Sequence, residues 1–465
     1  MSAVTAKPDL SSLHASLEEQ VAEAAERLNV PGVAVGIWSS GDEDYVFHGV
    51  TSIENPLEVD ASTLFQVGST SKTYTATVLM ILVEKGLVDL GAPVRTYVPE
   101  LRLKDESVAR AVTVLNLLNH TAGWTGDVLE STGEGDDALE RFVEKLANVN
   151  QDQPLGTVAS YNNAAFALAG RLIEKVTGKP FEVAVQELLL DPVGLKDSYY
   201  FVNDFMTRRF VVGHNEKDGK FQVARPWALP RSGHPAGGIV STAADQIRYA
   251  RFHLGDGSGK AGAVVLSQAS LQRMKEPTFP ADGVLANHVG ISWLISDIDG
   301  VRVVEHGGTT NGQLSAFAMV PERDFAITVL TNAEYGRVLQ HELVAWALNA
   351  YLGVREPEPV PLDLDQEQLA GYTGRFAAYA GVYDVSVDGD HLVIRGTYTD
   401  EGRRQAAAIL GDPPPEPKPL RVRVLPKDFL LIIDGDAKGL KFAAVRDAEG
   451  RIEALNLGGR LVHRA

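Results

Sequence analysis

The texture of this 465-residue sequence changes once, after Tyr351, and that break decides how many cores the chain can build. Arg355 to Gln368 (REPEPVPLDLDQEQ) carries three prolines and five acids, a composition that reads as a linker. Before it, helical and strand periodicities mix. Beyond it lie only short alternating runs with turns between: Gly381 to Val387, His391 to Arg395, Arg421 to Pro426, Phe429 to Asp434, Lys441 to Arg446 and Ile452 to Leu457. Six short strands without helical periodicity predict a small all-β barrel or half-barrel. Gly411 to Leu420 (GDPPPEPKPL) interrupts them with five prolines and reads as a stiff exposed loop. The expected division is residues 1–355, a linker over 356–368, and a barrel over 369–465. No internal repeat at a fixed period is present.

Within the first division, Asp9 is placed to cap a periodic run that ends near Leu28, before Pro31-Gly32. Val33 to Trp38 and Tyr45 to Val50 read as a hairpin. From Ser69 to Gly86 the apolar spacing turns helical, with Gly86 closing the helix. Further helices are expected near Leu139–Leu146, Asn163–Val176, Phe181–Leu190, Ala243–Leu254 and Val338–Tyr351. Strands are expected at Gly290–Ile295, Arg302–Val304, Gln313–Val320 and Ala326–Thr331. Helices in the middle and strands at both ends predict an α+β fold: an antiparallel sheet assembled from the chain ends, flanked by helices, with a separate helical region.

Charge and composition narrow the function. With 43 basic against 61 acidic residues the net charge is −18, which repels phosphate backbones and anionic lipid surfaces. Nucleic acid and membrane are therefore not expected partners. No cysteine is present, so thiolate nucleophiles and Cys-ligated metals are excluded. No run of His and carboxylates has ligand spacing, so no metal or other cofactor is expected. The N-terminus shows no basic segment followed by an apolar run, and no apolar stretch of roughly 18 residues occurs, so a cytoplasmic location is the expectation. Nothing in the sequence points to an oligomeric state.

Three segments carry chemistry. Phe65-Gln66-Val67-Gly68-Ser69-Thr70-Ser71-Lys72 heads a helix, and a spacing of three stacks Ser69 and Lys72 on one face. A serine hydroxyl is a poor nucleophile until a base takes its proton, and a partly buried lysine of lowered pKa can be that base or keep another base deprotonated. Alone, Ser-x-x-Lys occurs about once by chance in a chain this long and equally describes a solvated helix start. Ser160-Tyr161-Asn162-Asn163 places a phenol two residues from an amide, on one side of an extended turn. A phenol beside a lysine ammonium can ionise near neutral pH and shuttle protons; the plainer alternative is a turn followed by an N-cap. Glu305-His306-Gly307-Gly308-Thr309 follows an apolar strand, and an amide near Thr309 could face the Ser69 amide as an oxyanion hole. A histidine before paired glycines is otherwise a turn or a packed imidazole. Trp124 either lines an acyl pocket or covers the core. Glu130 to Asp137 (ESTGEGDD) reads as a mobile solvated loop near the cleft, or as an acidic patch for a cationic substrate.

In order and rough spacing these segments resemble the serine β-lactamase and penicillin-binding protein superfamily, in its class C, esterase and D-aminopeptidase branch. The likeness covers residues 15–352. Leu117-Leu118-Asn119-His120-Thr121-Ala122-Gly123 resembles that branch's Leu-Leu-x-His-x-Ser-Gly, with Ala122 for the serine, and Pro235-Ala236-Gly237-Gly238-Ile239-Val240-Ser241-Thr242 resembles its Ala-Gly-Gly-Leu-x-Ser-Thr joint. Residues after about 365 resemble the lipocalin-like β domain found behind some members. The resemblance implies Ser69 as acylated nucleophile, Lys72 as its partner and Tyr161 as proton shuttle. Asn163 would orient the acyl side chain and hold Lys72. Gly307 and Gly308 would allow close approach, with the amides of Ser69 and Thr309 binding the oxyanion. His306 stands where lactamases of the family carry the lysine of Lys-Thr-Gly. Histidine for lysine and glycine for threonine remove two groups that hold a β-lactam carboxylate, so a neutral or cationic small ester or amide is the expected substrate and β-lactams poor ones. The alternatives are a D-amino-acid amidase or peptidase, and a binder or sensor that is acylated without turnover.

Overall fold

The structure is a computed structural model and describes residues 10–465 except 129, 218–219, 228, 282–285, 411–415 and 436. Asp9 and half of the proline-rich Gly411–Leu420 segment therefore fall outside the described residues; Glu416 to Pro419 are exposed and irregular. Helix α1 (Leu10–Arg27) leads into the hairpin β1 (Gly32–Ser39) and β2 (Asp42–Gly49). Helices α2 (Ser71–Glu84), α3 (Asn163–Thr177) and α4 (Ala243–Leu254) follow. The chain then lays down β3 (Phe279–Pro280), β4 (His288–Val289), β5 (Leu294–Ile298), β6 (Val301–Glu305), β7 (Gly308–Thr309), β8 (Leu314–Val320) and β9 (Phe325–Thr331), before α5 (Gly336–Leu352). Among the described residues these strands form one nine-stranded antiparallel sheet ordered β2-β1-β9-β8-β6-β5-β4-β3, with β7 beside β8. The fold is α+β, as the sequence predicts. The strand expected to start at Gly290 starts at Leu294 instead, because Ser292 takes a left-handed backbone (φ 69°) and turns the chain.

Period-two alternation divides the central strands between two cores. Val33, Val35 and Ile37 of β1 and Ile327 and Val329 of β9 pack with α1 and α5, through Leu17, Val21, Leu343 and Ala347. Ala34, Ala326, Leu330, Phe317 and Met319 face the other way, into the helical region that holds α2 and α3. Strands buried on both faces read as unbroken apolar runs, which is why β9 is FAITVLT. Helix α2 is enclosed on all sides from Ser71 to Leu82. Its threonines tolerate this because their hydroxyls are satisfied: Thr73 donates to the Thr70 carbonyl at 2.8 Å, Thr75 to Pro235 at 2.7 Å and Thr77 to Thr73 at 2.7 Å.

The C-terminal part is a closed barrel of eight strands: β10 (Gly374–Ala377), β11 (Gly381–Asp388), β12 (His391–Tyr398), β13 (Leu420–Val424), β14 (Phe429–Ile432), β15 (Lys441–Arg446), β16 (Ile452–Leu457) and β17 (Arg460–Arg464). Six strands were expected. The two that sequence pattern misses, β10 and β17, are the pair that closes the barrel, Phe376 opposite Arg464. They are short and interrupted by charge, with Arg375 in one and Arg460 and Arg464 in the other, so neither shows a clear apolar alternation. A helix over Asp400–Leu410 also departs from the expected helix-free pattern, and a second, Gln366–Ala370, is capped by Asp365 inside the expected linker. Phe376, Leu392, Ile394, Val422, Leu430, Phe442 and Leu455 fill the barrel.

In the first core, Trp293 is fully enclosed and its ring lies 5.6 Å from Phe317 and 5.1 Å from His253. Trp293→Ala should destabilise the protein by about 3–5 kcal/mol, read from the urea midpoint of tryptophan-independent circular dichroism.

Candidate active site

Ser69 lies on the short turn Gly68–Thr70 that runs straight into α2, half-exposed, while Lys72 one turn on has no exposure at all. Lys72 Nζ donates to Ser69 Oγ at 3.0 Å and to the Ala236 carbonyl at 2.6 Å. Burial, reinforced by the Arg460 charge, pushes the lysine well below its ordinary pKa, against an opposing pull from Asp127. Two glycines make the contact between this turn and the sheet. Gly68 has φ 51°, and a Cβ there would sit 2.6 Å from the Thr309 amide nitrogen. A Cβ on Gly308 would come within 1.9 Å of the Val67 carbonyl and 2.7 Å of the Ser69 nitrogen. Strand β7 thus lies flat on the Ser69 turn, backbone against backbone, and brings the Ser69 and Thr309 amides together. Ser315 Oγ stitches the joint by donating to the Val67 carbonyl at 2.7 Å.

Tyr161 closes the other side. Its ring centroid is 4.9 Å from Lys72 Nζ, 4.4 Å from the His120 ring and 6.1 Å from the His306 ring. Burial raises the phenol above its ordinary pKa, outweighing the Ser69 hydroxyl and the Arg460 charge, which both act to lower it. The expected ionisation near neutral pH is therefore not met, and Tyr161 rests protonated. His306 is buried, with Nδ1 donating to the Gly307 carbonyl at 2.7 Å; Nε2 is left as a bare acceptor without a hydrogen-bond partner among the described residues. Burial and the neighbouring Lys72 push its pKa down to about 3, so His306 is neutral far below physiological pH. His120 is held in the complementary tautomer, since its Nδ1 accepts from the Asn162 amide at 3.1 Å.

Three expectations need correction. Asn163 does not hold Lys72: its amide donates to Asp127 Oδ1 at 2.6 Å, and Lys72 spends its bonds on Ser69 and Ala236. Trp124 covers the core, 3 % exposed, while its carbonyl receives the Asn162 side chain. Glu130–Asp137 is exposed at Ser131 and from Gly133 to Asp136, as expected, but it is tied down: Arg231 donates to the Glu134 carbonyl at 2.8 Å and to Asp136 at 2.8 Å, and Ser232 donates to the Glu130 carbonyl at 2.8 Å. Sequence reasoning also missed His120, Asp127, Arg337 and Arg460 as site residues. Arg337, at the start of α5, donates to Thr309 Oγ1 at 2.8 Å. Arg460 comes from β17 and pairs with Asp127, 333 residues away. Only His120 stood in a recognisable segment; the other three are placed by topology.

The Beta-lactamase family profile matches residues 17–350. The chain belongs to the Beta-lactamase family. It is 35% identical over 368 residues to Penicillin-binding protein 4 of Amycolatopsis lactamdurans, covering 77% of this chain and 97% of that protein. It is 32% identical over 247 residues to a Beta-lactamase of Lysobacter lactamgenus, covering 53% of this chain and 62% of that one. In fold it is similar to the crystal structure of SurE, with a TM-score of 0.73, 24% identity, and 98% of this chain and 100% of that one covered. A Beta-lactamase-family fold with serine-hydrolase membership, followed by a closed barrel, is thus the frame within which the site acts.

Two outcomes follow from the site's packing. Gly308→Ala forces β7 off the Ser69 turn and should cut the rate at which an active-site phosphonate labels Ser69 at least tenfold. The unfolded chain protonates His306 near pH 6.5, whereas the folded protein resists until about 3. Stability contributed by the neutral imidazole is therefore complete above pH 6.5 and is lost as the pH falls toward 3. Thermal melts across that window should show a shallower decline for His306→Gln than for the native protein.

Proposed function

We propose that the protein is a serine hydrolase that cleaves a small ester or amide through a covalent acyl-enzyme on Ser69. The observation that carries this reading is the 3.0 Å bond between Lys72 and Ser69 Oγ, made by an amine with no exposure to water. A lysine that burial deprives of its proton can take the one on Ser69 as the hydroxyl attacks a carbonyl carbon. The carbonyl oxygen then collects negative charge between the amides of Ser69 and Thr309. Tyr161, protonated at rest and within reach of both Ser69 and Lys72, relays the proton to the leaving oxygen or nitrogen. Water repeats the attack on the acyl carbon, and the proton path runs in reverse to restore Ser69.

The surroundings bear on the substrate. A recess of about 190 Å³ lined by Tyr200, Phe201, Trp227 and Leu229 reaches Gly238, two residues from Ala236, and has room for a small apolar acyl group. A D-amino-acid amidase needs an acid for the free amine. Asp127 already serves Arg460 and Asn163, and Asp136 serves Arg231, which leaves Glu134, on the lining of that recess, as the acid such a reading would require. Arg337 at Thr309 speaks against a cationic substrate. One observation favours a second reading, penicillin binding with little turnover: the name of the 35% identical Amycolatopsis relative.

A fluorophosphonate probe should label Ser69 alone, as located by peptide mapping. Ser69→Ala should abolish the label, and Tyr161→Phe should slow ester turnover about 10²- to 10⁴-fold. Labelling at another serine overturns the reading. A chromogenic cephalosporin separates the two substrate classes: a stable adduct on Ser69 without turnover, together with no activity on short-chain p-nitrophenyl esters, assigns the second.

A further inference from the structure

The turn between β16 and β17 enters the cleft of the first region. Gly458 and Gly459 both take left-handed backbone (φ 57° and 84°), the two-residue hairpin turn that follows the twist of its strands. Two groups leave that turn for the site. The Gly459 carbonyl accepts the Tyr161 amide at 2.7 Å. The Arg460 guanidinium donates from Nε to Asp127 Oδ2 at 2.7 Å and from Nη2 to Oδ1 at 3.1 Å. Its Cζ stands 4.8 Å from the Tyr161 ring centroid, and its Nη1 is spent on the Gly458 carbonyl at 2.8 Å. Asp127 Oδ1 also takes the Asn163 amide, so one carboxylate joins the barrel to the helix start that follows Tyr161.

Resting on the acyl-enzyme reading above, we propose that Arg460 is a positioning residue of that reaction: the barrel supplies it to fix Asp127, and through Asp127 the Tyr161–Asn163 segment, with its charge over the Tyr161 ring. A bidentate arginine-carboxylate pair defines an orientation as well as an attraction, which a lysine in the same place would not reproduce fully. The geometry accounts for the diversion of Asn163 from Lys72, since its amide completes the acceptor set of Asp127. It also makes the barrel part of the active site. The other titratable groups around this pair are Lys72, His120 and His306 behind Tyr161, Arg337 from α5, and Tyr383 from β11.

The pair acts on proton transfer with opposite signs, which a merely structural contact would not. Arg460 lowers and Asp127 raises the proton affinity of both Lys72 and Tyr161. The test measures the rate of Ser69 labelling by a fluorophosphonate against pH in the full-length chain, together with the melting temperature. Arg460→Met should move the acid limb up by about one pH unit, because the base loses a neighbouring cation and faces an unscreened carboxylate. Asp127→Asn should move it down by a similar amount. Arg460→Lys should leave the limb near its native position while lowering the maximal rate several-fold, and the double variant Arg460→Met/Asp127→Asn should fall between the singles. Limbs that move in the same direction, or stay in place while Ser69 still labels, overturn the role given to Arg460. If Arg460→Met does not melt cooperatively, Asp127→Asn and Arg460→Lys decide by the same signs. A native protein that fails to label at Ser69 sinks the acyl-enzyme reading itself, and this role with it.

Discussion

A fully buried lysine amine is the constraint around which the molecule is arranged. Lys72 sits on a helix enclosed from Ser71 to Leu82, where a charged ammonium would be costly to keep out of water. Its two hydrogen-bond acceptors are the Ser69 hydroxyl and the Ala236 carbonyl, neither of them charged. Burial therefore pulls the amine well below its ordinary pKa where it touches the serine hydroxyl, as the proposed reaction requires. The same burial that makes α2 a core helix gives its first turn chemical use. Its threonines show the same economy, each buried hydroxyl returned to a carbonyl of α2, of the Ser69 turn before it or of the neighbouring Pro235 loop.

The second wall of the site depends on backbone approach. Strand β7 reaches the Ser69 turn only because Gly68 and Gly308 present no side chain to one another's backbone. Ser315 and Thr70 then lock the joint with hydroxyl bonds, so the Ser69 and Thr309 amides, from distant parts of the chain, are held close to one another. Preorganised backbone dipoles of this sort cost little to reorient at the moment charge develops. The two imidazoles nearby, His120 and His306, are each fixed in one tautomer and kept neutral by burial, so they pack beside Tyr161 without adding charge.

The barrel adds the third wall. Its last hairpin is the one that closes the β10–β17 seam, so the placement of Arg460 depends on barrel closure itself. Gln153 and His463 also touch across the two parts, and Lys441 pairs with Glu356 at the start of the expected linker. The Pro- and acid-rich segment is consequently anchored at both ends: Leu362 donates its amide to Val424 of the barrel, and Asp365 caps the helix that follows.

Much of this was legible in the amino-acid order because it depends on local periodicity. Short apolar runs marked β1, β8 and β9, helical spacing marked α2 through α5, and the Ser69, Tyr161 and His306 segments stood out because each couples a reactive side chain to a turn or helix start. The separation of a barrel from the first region was likewise visible in composition. What local order could not carry was everything settled by long-range closure: strands β10 and β17, too short to alternate, the transfer of Asn163 from Lys72 to Asp127, and the arrival of Arg460 over Tyr161. Those depend on which surfaces meet once two cores and a barrel have closed. A contact spanning 333 residues has no periodic signature, since it is set by the geometry of packed elements and not by the propensity of the residues that make it. Even the proton on Tyr161 belongs to this class, because the sequence places the phenol near a lysine while only burial decides that the proton stays.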